Sequence, residues 1–283
     1  MPSSSRSSAQ AAREAVASRL KEIRLDAGLT GVELAARCDW NKSKSSRIEN
    51  AKTPPSDADI RAWCRACGAD GQAEDLVAAS RNAESLYVEW RRKQRAGLRR
   101  LQESYVPLYE QTGLFRIYSP NVVPGFLRTS GYITALFSAI TDLDGDDDQD
   151  VEAAVEARMD RSRILRRGGH RFSMVLEESV LRYRMGETEV MAGQLGHLLS
   201  AMSLPNVSVG IIPFAARRLV WPLEAFTVYD DHLVRVELTT AEPAIQAPTE
   251  VETYIKAFGR LQKHAVYGPE ARALITSAIE ALD

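Results

Sequence analysis

Of the 283 residues only three are cysteine, Cys38, Cys64 and Cys67, an odd number that builds no disulfide framework and suits a reducing compartment. Long apolar runs are missing as well, and none approaches the roughly 18 residues that a membrane span requires. The opening stretch, MPSSSRSSAQ, lacks the apolar centre of a secretory signal. Residues 1–11 are therefore expected to form a disordered tail on a cytoplasmic protein with no membrane contact. The second part of the chain has no HExxH, GxSxG, GxGxxG or GxxxxGK[ST] motif. His170, His197, His232 and His264 are scattered through it. No catalytic residue, no metal ligand and no cofactor is expected.

Two weaker signals of metal chemistry also lose their force. Cys64 and Cys67 have CxxC spacing, but no second pair or nearby histidine completes a ligand set, and they fall in an amphipathic stretch where a thiol acts as a small hydrophobe. The acidic segment Asp142–Asp150 (DLDGDDDQD) has Asp147 where a calcium loop needs glycine and Ala153 where it needs glutamate. It reads as a surface loop.

What is present is an uneven charge. The formal net charge of −2 divides into 19 Lys/Arg against 14 Asp/Glu over residues 1–103, and 17 against 24 over the remainder. A modestly basic first third is compatible with phosphate contact, and the acidic remainder is not.

Local patterning in that first third predicts short helices. Val16, Leu20, Ile23 and Ala27 recur at helical spacing until Gly28. Thr30 and Glu33 form a capping-box signature for a helix to Arg37, Asn41 caps a third helix to about Asn50, and Ser56 or Asp57 caps a fourth that Gly68 ends. Residues 73–110 read as a long connecting helix with the basic run Trp90–Arg95 on a solvated face. Strands are expected at 114–118, 171–177, 206–212, 223–229 and 232–239, the last two joined through Asp230-Asp231. Helices are expected at 130–140, 151–167, 188–202, 249–264 and 269–282.

The segment LKEIRLDAGLTGVELAARCDWNKSKSSRIENAKT, from Leu20 to Thr53, resembles the helix-turn-helix domain of Cro- and phage-repressor-like (XRE-type) regulators. The match lies in the order of Arg24, Ala27 to Thr30, Glu33-Leu34-Ala35, Ser43-Lys44, Ser46 to Glu49, and Lys52. The resemblance implies a cytoplasmic, dimeric, DNA-binding transcription regulator. It puts Lys42, Ser43, Lys44, Ser46 and Arg47 on the helix that enters the major groove, Thr30 and Lys52 at the DNA backbone, and Arg24 in a structural pair with Glu49. Gly31 and Lys42 stand where many relatives carry glutamine, Ser45 at a usually apolar contact, and Ala51 where glycine is common, so no operator carries over.

Blocks between about 105 and 280 resemble the effector domain of WhiJ-like, antitoxin-like regulators. They include Val123 to Thr129, Glu156 to Met159, Arg161, Glu177-Glu178, Gln194-Leu195 and Ile211 to Pro213. This second resemblance implies no catalysis and a protein–protein surface on which a small toxin-like partner acts; double-stranded DNA and a second copy of the chain are the partners expected of the first domain. A one-component repressor sensing a small-molecule effector through Tyr118, Phe172, Trp221 or Phe226 stands as the alternative. The expected architecture is an all-α five-helix helix-turn-helix domain over 12–72, the connecting helix, and an α+β effector domain over 111–283 with a mostly antiparallel sheet and flanking helices.

Overall fold

The computed structural model describes residues 4–85, 98–144, 151–238 and 242–282. The chain divides into two compact units, Met1–Arg91 with Ala241–Glu252, and Arg92–Thr240 with Thr253–Asp283.

The first unit is helical: α1 (Ser4–Asp26), α2 (Gly31–Arg37), α3 (Lys42–Glu49), α4 (Asp57–Ala66) and α5 (Ala73–Ser85). The predicted tail is helical from Ser4 onward, because no glycine or proline interrupts the chain between Pro2 and the turn at Gly28, whose φ of 68° ends α1. Each of the next three helices starts at the polar residue that satisfies its first amides. Glu33 N–H donates to Thr30 Oγ1 at 3.2 Å, Ser43 N–H to Asn41 Oδ1 at 2.9 Å, and Asp59 N–H to Ser56 Oγ at 3.2 Å. Leu20, Leu34, Ile48, Ile60 and Trp63 are buried together, and each such side chain stabilises the unit by about 1.5–3 kcal/mol. Trp63 Nε1–H, buried with them, donates to Leu20 O at 2.9 Å, so α4 is keyed to α1. Cys64 belongs to this core, and burial pushes its thiol up to about 11.

The second unit is α+β. Ahead of its sheet lie α6 (Leu98–Glu103) and α7 (Val106–Gln111), where the long connecting helix was expected. Ser104 and Tyr105 separate them, and Pro107 sits in the first turn of α7, where a missing N–H does no harm. Residues 86–97, with the basic run Trp90–Arg95, lie outside the described residues, as do 145–150 of the acidic loop. Then follow β1 (Leu114–Ser119), α8 (Ser130–Asp144), α9 (Val151–Ser162), β2 (Arg171–Glu177), α10 (Ser179–Arg182), α11 (Thr188–Ala201), β3 (Val207–Ile212), β4 (Phe226–Tyr229) and β5 (Leu233–Val236). The chain continues into β6 (Ala244–Ile245), α12 (Pro248–Gln262) and α13 (Gly268–Glu280).

The five strands of this unit lie in the order β3-β2-β1-β4-β5. The sheet is mixed. β1 and β2 pair in parallel from Leu114↔Arg171 to Ser119↔Leu176, and β2 and β3 in parallel from Phe172↔Val207 to Glu177↔Ile212. The β1/β4 and β4/β5 pairings are antiparallel. Parallel neighbours need helical crossovers, and α8–α9 and α11 supply them. The β4–β5 turn holds three residues, Asp230, Asp231 and His232, rather than two, because the register sets Tyr229 opposite Leu233. Asp230 takes a φ of 51°, and its Oδ1 accepts from Leu114 N–H at 2.7 Å, tying the turn to the start of β1.

Both faces of the sheet are covered. Phe115 and Phe172 stack with centroids 4.7 Å apart, and Phe126 meets both. On the other face Tyr118 and Phe226 pack with Tyr254 and Phe258 of α12. Tyr118, Phe172 and Phe226 are thus core residues, whereas Trp221 is 73% exposed. Leu195 and Leu198 are fully buried on α11.

Within the first unit, the described residues 242–252 include β6 and the start of α12, which pack on α5. Thr249 at the start of α12 donates from its N–H (3.2 Å) and Oγ1 (2.6 Å) to the Asp75 carboxylate, and Ala247 and Val251 are buried.

Candidate nucleic-acid interface

Helix α3 has two faces of different chemistry. Ser45 and Ile48 point inward, with Ile48 in the apolar core. Ser45 Oγ donates to Gly31 O at 3.3 Å and to Lys42 O at 3.1 Å, so a hydroxyl bridges α3 to the start of α2 where an apolar contact is usual. The opposite face carries Ser43, Ser46, Arg47 and Asn50, with Lys42 at its edge, and all five are exposed. Asn50 was not among the expected site residues. Its place three residues beyond Arg47, on the outer face of the same helix, is the signal that finds it. Its Nδ2 donates to Ser46 O at 2.7 Å, and the residue is exposed.

Lys44 departs from the group. Its Nζ lies 2.5 Å from Asp59 Oδ1 and 4.5 Å from the centre of the Trp40 ring, so it binds α3 to α4 rather than joining the outer face. A helical wheel places it beside the buried positions 45 and 48, which spacing alone had not separated from Lys42 and Arg47.

Thr30 sits at the start of α2 with its hydroxyl already engaged. Oγ1 accepts from Glu33 N–H and donates to Glu33 Oε2 at 2.7 Å, while Thr30 N–H donates to the same carboxylate at 2.7 Å. These backbone and hydroxyl donors hold the Glu33 carboxyl below its ordinary value. Lys52 is exposed just beyond α3, its N–H bonded to Arg47 O at 2.9 Å. Between them Ala51 takes a φ of 53°, and Asp39 in the α2–α3 turn takes 55°.

The scaffold of this surface is the pair between α1 and α3. Arg24 Nε donates to Glu49 Oε2 at 3.1 Å and Nη2 to Oε1 at 2.5 Å, a two-pronged contact between side chains 10% and 12% exposed. Nη1 donates to Leu29 O at 2.5 Å, fixing the chain where it leaves α1. Of the acids around α3, Glu33, Glu49 and Asp59 are each bound to a protein donor, and Asp39 stands exposed in the preceding turn. The outer face of α3 therefore offers amines, a guanidinium, hydroxyls and an amide to a ligand rich in acceptors, which is the surface that a DNA groove presents.

The comparisons agree with this geometry. Residues 15–77 match a family model described as a helix-turn-helix domain, so the chain carries the fold of DNA-binding regulators across α1 to α5. No curated protein and no solved structure matches the chain. No helix among the described residues is long and apolar enough to cross a membrane. Residues 102–277, more than half of the chain, match the model of a domain of unknown function, DUF5753, and the protein belongs to that family, with a helix-turn-helix domain ahead of it.

Proposed function

We propose that the protein is a sequence-specific transcription regulator that reads DNA with α3 as a homodimer and whose second unit is governed by a small, toxin-like partner protein. The observation that carries the DNA half is the outer face of α3, where Lys42, Ser43, Ser46, Arg47 and Asn50 stand free of bound acids on a helix braced by Arg24–Glu49. In this reading Arg47 and Lys42 reach base edges, and Lys52 touches the phosphate backbone. Lys44 acts as a brace, and Thr30 meets a phosphate only by giving up its donation to Glu33.

The partner half is supported by the segment between β3 and β4. It exposes Phe214, Leu219 and Trp221, large apolar side chains of the kind that anchor protein interfaces. The segment is held firmly. Phe214 N–H donates to Glu178 Oε2 at 2.9 Å, Leu219 N–H to His264 Nε2 at 3.1 Å, and Arg218 pairs with Glu177, which also accepts from Tyr118 Oη at 2.7 Å. This reading assigns no reaction to the second unit, whose Glu177 and Glu178 are committed to these contacts. A small-molecule effector is the second reading, favoured by an open groove of about 300 Å³ beside Tyr109 and Arg161.

The test is fluorescence anisotropy of the full chain on an operator selected from random DNA. Lys42→Ala and Arg47→Ala are each expected to cost about 1–3 kcal/mol on that operator. Lys52→Ala should weaken all sequences alike and reduce the salt slope by about one, and Lys44→Ala should leave that slope unchanged. Parent-like operator binding by both Lys42→Ala and Arg47→Ala refutes the recognition-helix assignment.

A further inference from the structure

The second unit gathers a group of buried and half-buried guanidiniums with no matching set of carboxylates among the described residues. Arg128, just after the 3₁₀ turn Gly125–Leu127, and Arg161, on α9, are 7% and 8% exposed. Arg128 Nε donates to Val123 O at 2.6 Å, and Arg161 Nη1 to Gln102 O at 3.3 Å. The Arg161 guanidinium also lies 4.5 Å from the centre of the Tyr105 ring and 5.0 Å from that of Tyr109. Arg158, one turn earlier on α9, donates from Nη1 to Gln102 Oε1 at 2.8 Å, while its Nε is sealed from solvent with no partner. Arg235 of β5, which makes contacts of its own, approaches the Tyr105 ring at 4.8 Å. Against these stands Glu237, which is exposed and forms no salt bridge with any of the first three.

This arrangement is costly as it stands. A buried cation needs an opposite charge or a full set of acceptors, and these offer each other repulsion. Burial, with Arg161 and Arg128 close by, pushes Arg158 down to about 9, and burial lowers Arg128 as well. The chain nevertheless makes room for the cluster. A Cβ at position 125 would overlap the Arg158 guanidinium, so Gly125 is the residue that admits it. The groove between α6, α7 and α9 reaches the edge of the cluster at Arg161, with Tyr109 beside it in the wall. The rim of that groove mixes charges: Glu103 is paired with Arg99 and Asp160 with Arg163, while Glu110, Glu156 and Arg167 also line it.

We propose that Arg161, backed by Arg128 and Arg158, forms a binding site for a small anionic ligand, a carboxylate or a phosphate ester, that seats in this groove and supplies the missing counter-charge. Guanidiniums match the planar oxygens of both groups, and Tyr105 and Tyr109 hold the Arg161 plane in place for them. The mixed rim suits a ligand whose outer end is neutral or cationic. The site deepens the small-molecule reading of the second unit and rests on nothing in the DNA-binding one.

Hydrogen exchange on the full chain, followed by mass spectrometry, tests it with inorganic phosphate and succinate as separate probes and chloride at equal ionic strength as the reference. Exchange in peptides covering α6, α7 and α9 is expected to slow about tenfold at about ten times the dissociation constant of the binding probe, and to saturate. Slowing by phosphate alone, or by succinate alone, identifies which oxygen chemistry the site takes. In Arg158→Met this half-buried charge is gone, so those peptides should be protected without any anion and respond to neither probe. Arg158→Gln, which keeps a polar group, provides the same comparison should the first variant fold poorly. Unchanged exchange with both probes, an unsaturable change, or a response retained in both variants overturns the proposal. Peptides from residues 15–77 report the first unit separately, so a failure of DNA recognition is not confused with a failure here.

Discussion

Replacing Glu49 with alanine should unfold the first unit at far milder conditions while leaving the second as it was. The perturbation strands Arg24, whose guanidinium is 8% exposed as a residue and loses both contacts to Glu49 while keeping one to Leu29 O. Two unit charges about 4 Å apart attract by about 4 kcal/mol at an effective dielectric of about 20, and that attraction offsets the desolvation of both groups. Removing one partner from a buried pair costs about 3–5 kcal/mol, because the other charge stays behind. The surviving bond to Leu29 O and the 10–12% exposure of the two side chains place Glu49→Ala near the lower end, about 3 kcal/mol. For a unit of this size, 1 kcal/mol moves the midpoint by about 4–8 °C, so a fall of about 12–24 °C follows. Residue-resolved hydrogen exchange on the full chain is the assay: peptides from α1, α3 and α4 should lose protection and those from β1 and β2 keep it. Arg24→Met combined with Glu49→Ala should recover part of the loss, since no charge is then stranded. Parent-like protection in Glu49→Ala, or a double variant worse than the sum of the single ones, refutes the reasoning.

Three further outcomes follow from the same geometry. Ala51→Gly should raise the unfolding free energy measured in urea by about 0.5–1 kcal/mol, since the φ of 53° strains a residue with a Cβ more than glycine's extra unfolded entropy costs; a lower urea midpoint contradicts this. Glu33 has a lowered carboxyl pKa in the folded chain, so its cap contributes stability above the ordinary 4.5 that is lost as pH falls through the folded value. An NMR titration should place its midpoint below 4.5 and return it toward 4.5 in Thr30→Ala; a parent midpoint at or above 4.5 counts against the cap. Gly125→Ala should cost about 1–3 kcal/mol by overpacking against Arg158, and Arg158→Ala in the same chain should relieve most of it in a melting experiment.

Features that depend on neighbouring residues were readable in the chain, and those that depend on distant ones were not. Thr30, Asn41 and Ser56 announce α2, α3 and α4 because a cap is satisfied within three residues, and β2 begins and ends where its apolar pattern does. The side of α3 to which each basic residue belongs needs one further step, since Lys44 differs from Arg47 only through what packs against positions 45 and 48. Parallel pairing of β1 with β2 leaves no local mark, because the partners are joined by a crossover and not by a turn. Gly125 reads as a turn residue, yet its backbone φ is ordinary. The reason for it is the Arg158 side chain, 33 positions away. The onset of α1 at Ser4 shows that a polar, serine-rich composition does not by itself forbid a helix when no breaker intervenes.

The contact between Thr249 and Asp75 spans 174 positions. On a ribosome adding about 5–20 residues per second, α5 emerges roughly 10 to 35 s before the segment that covers it. During that interval the nascent reading head has all five of its helices but not the strip that buries Ala247 and Val251 against them. Completion of the DNA-binding unit thus waits on synthesis of a segment more than 150 residues beyond α5. A chain cut short anywhere before residue 241 leaves a head that is present in sequence and unfinished in space.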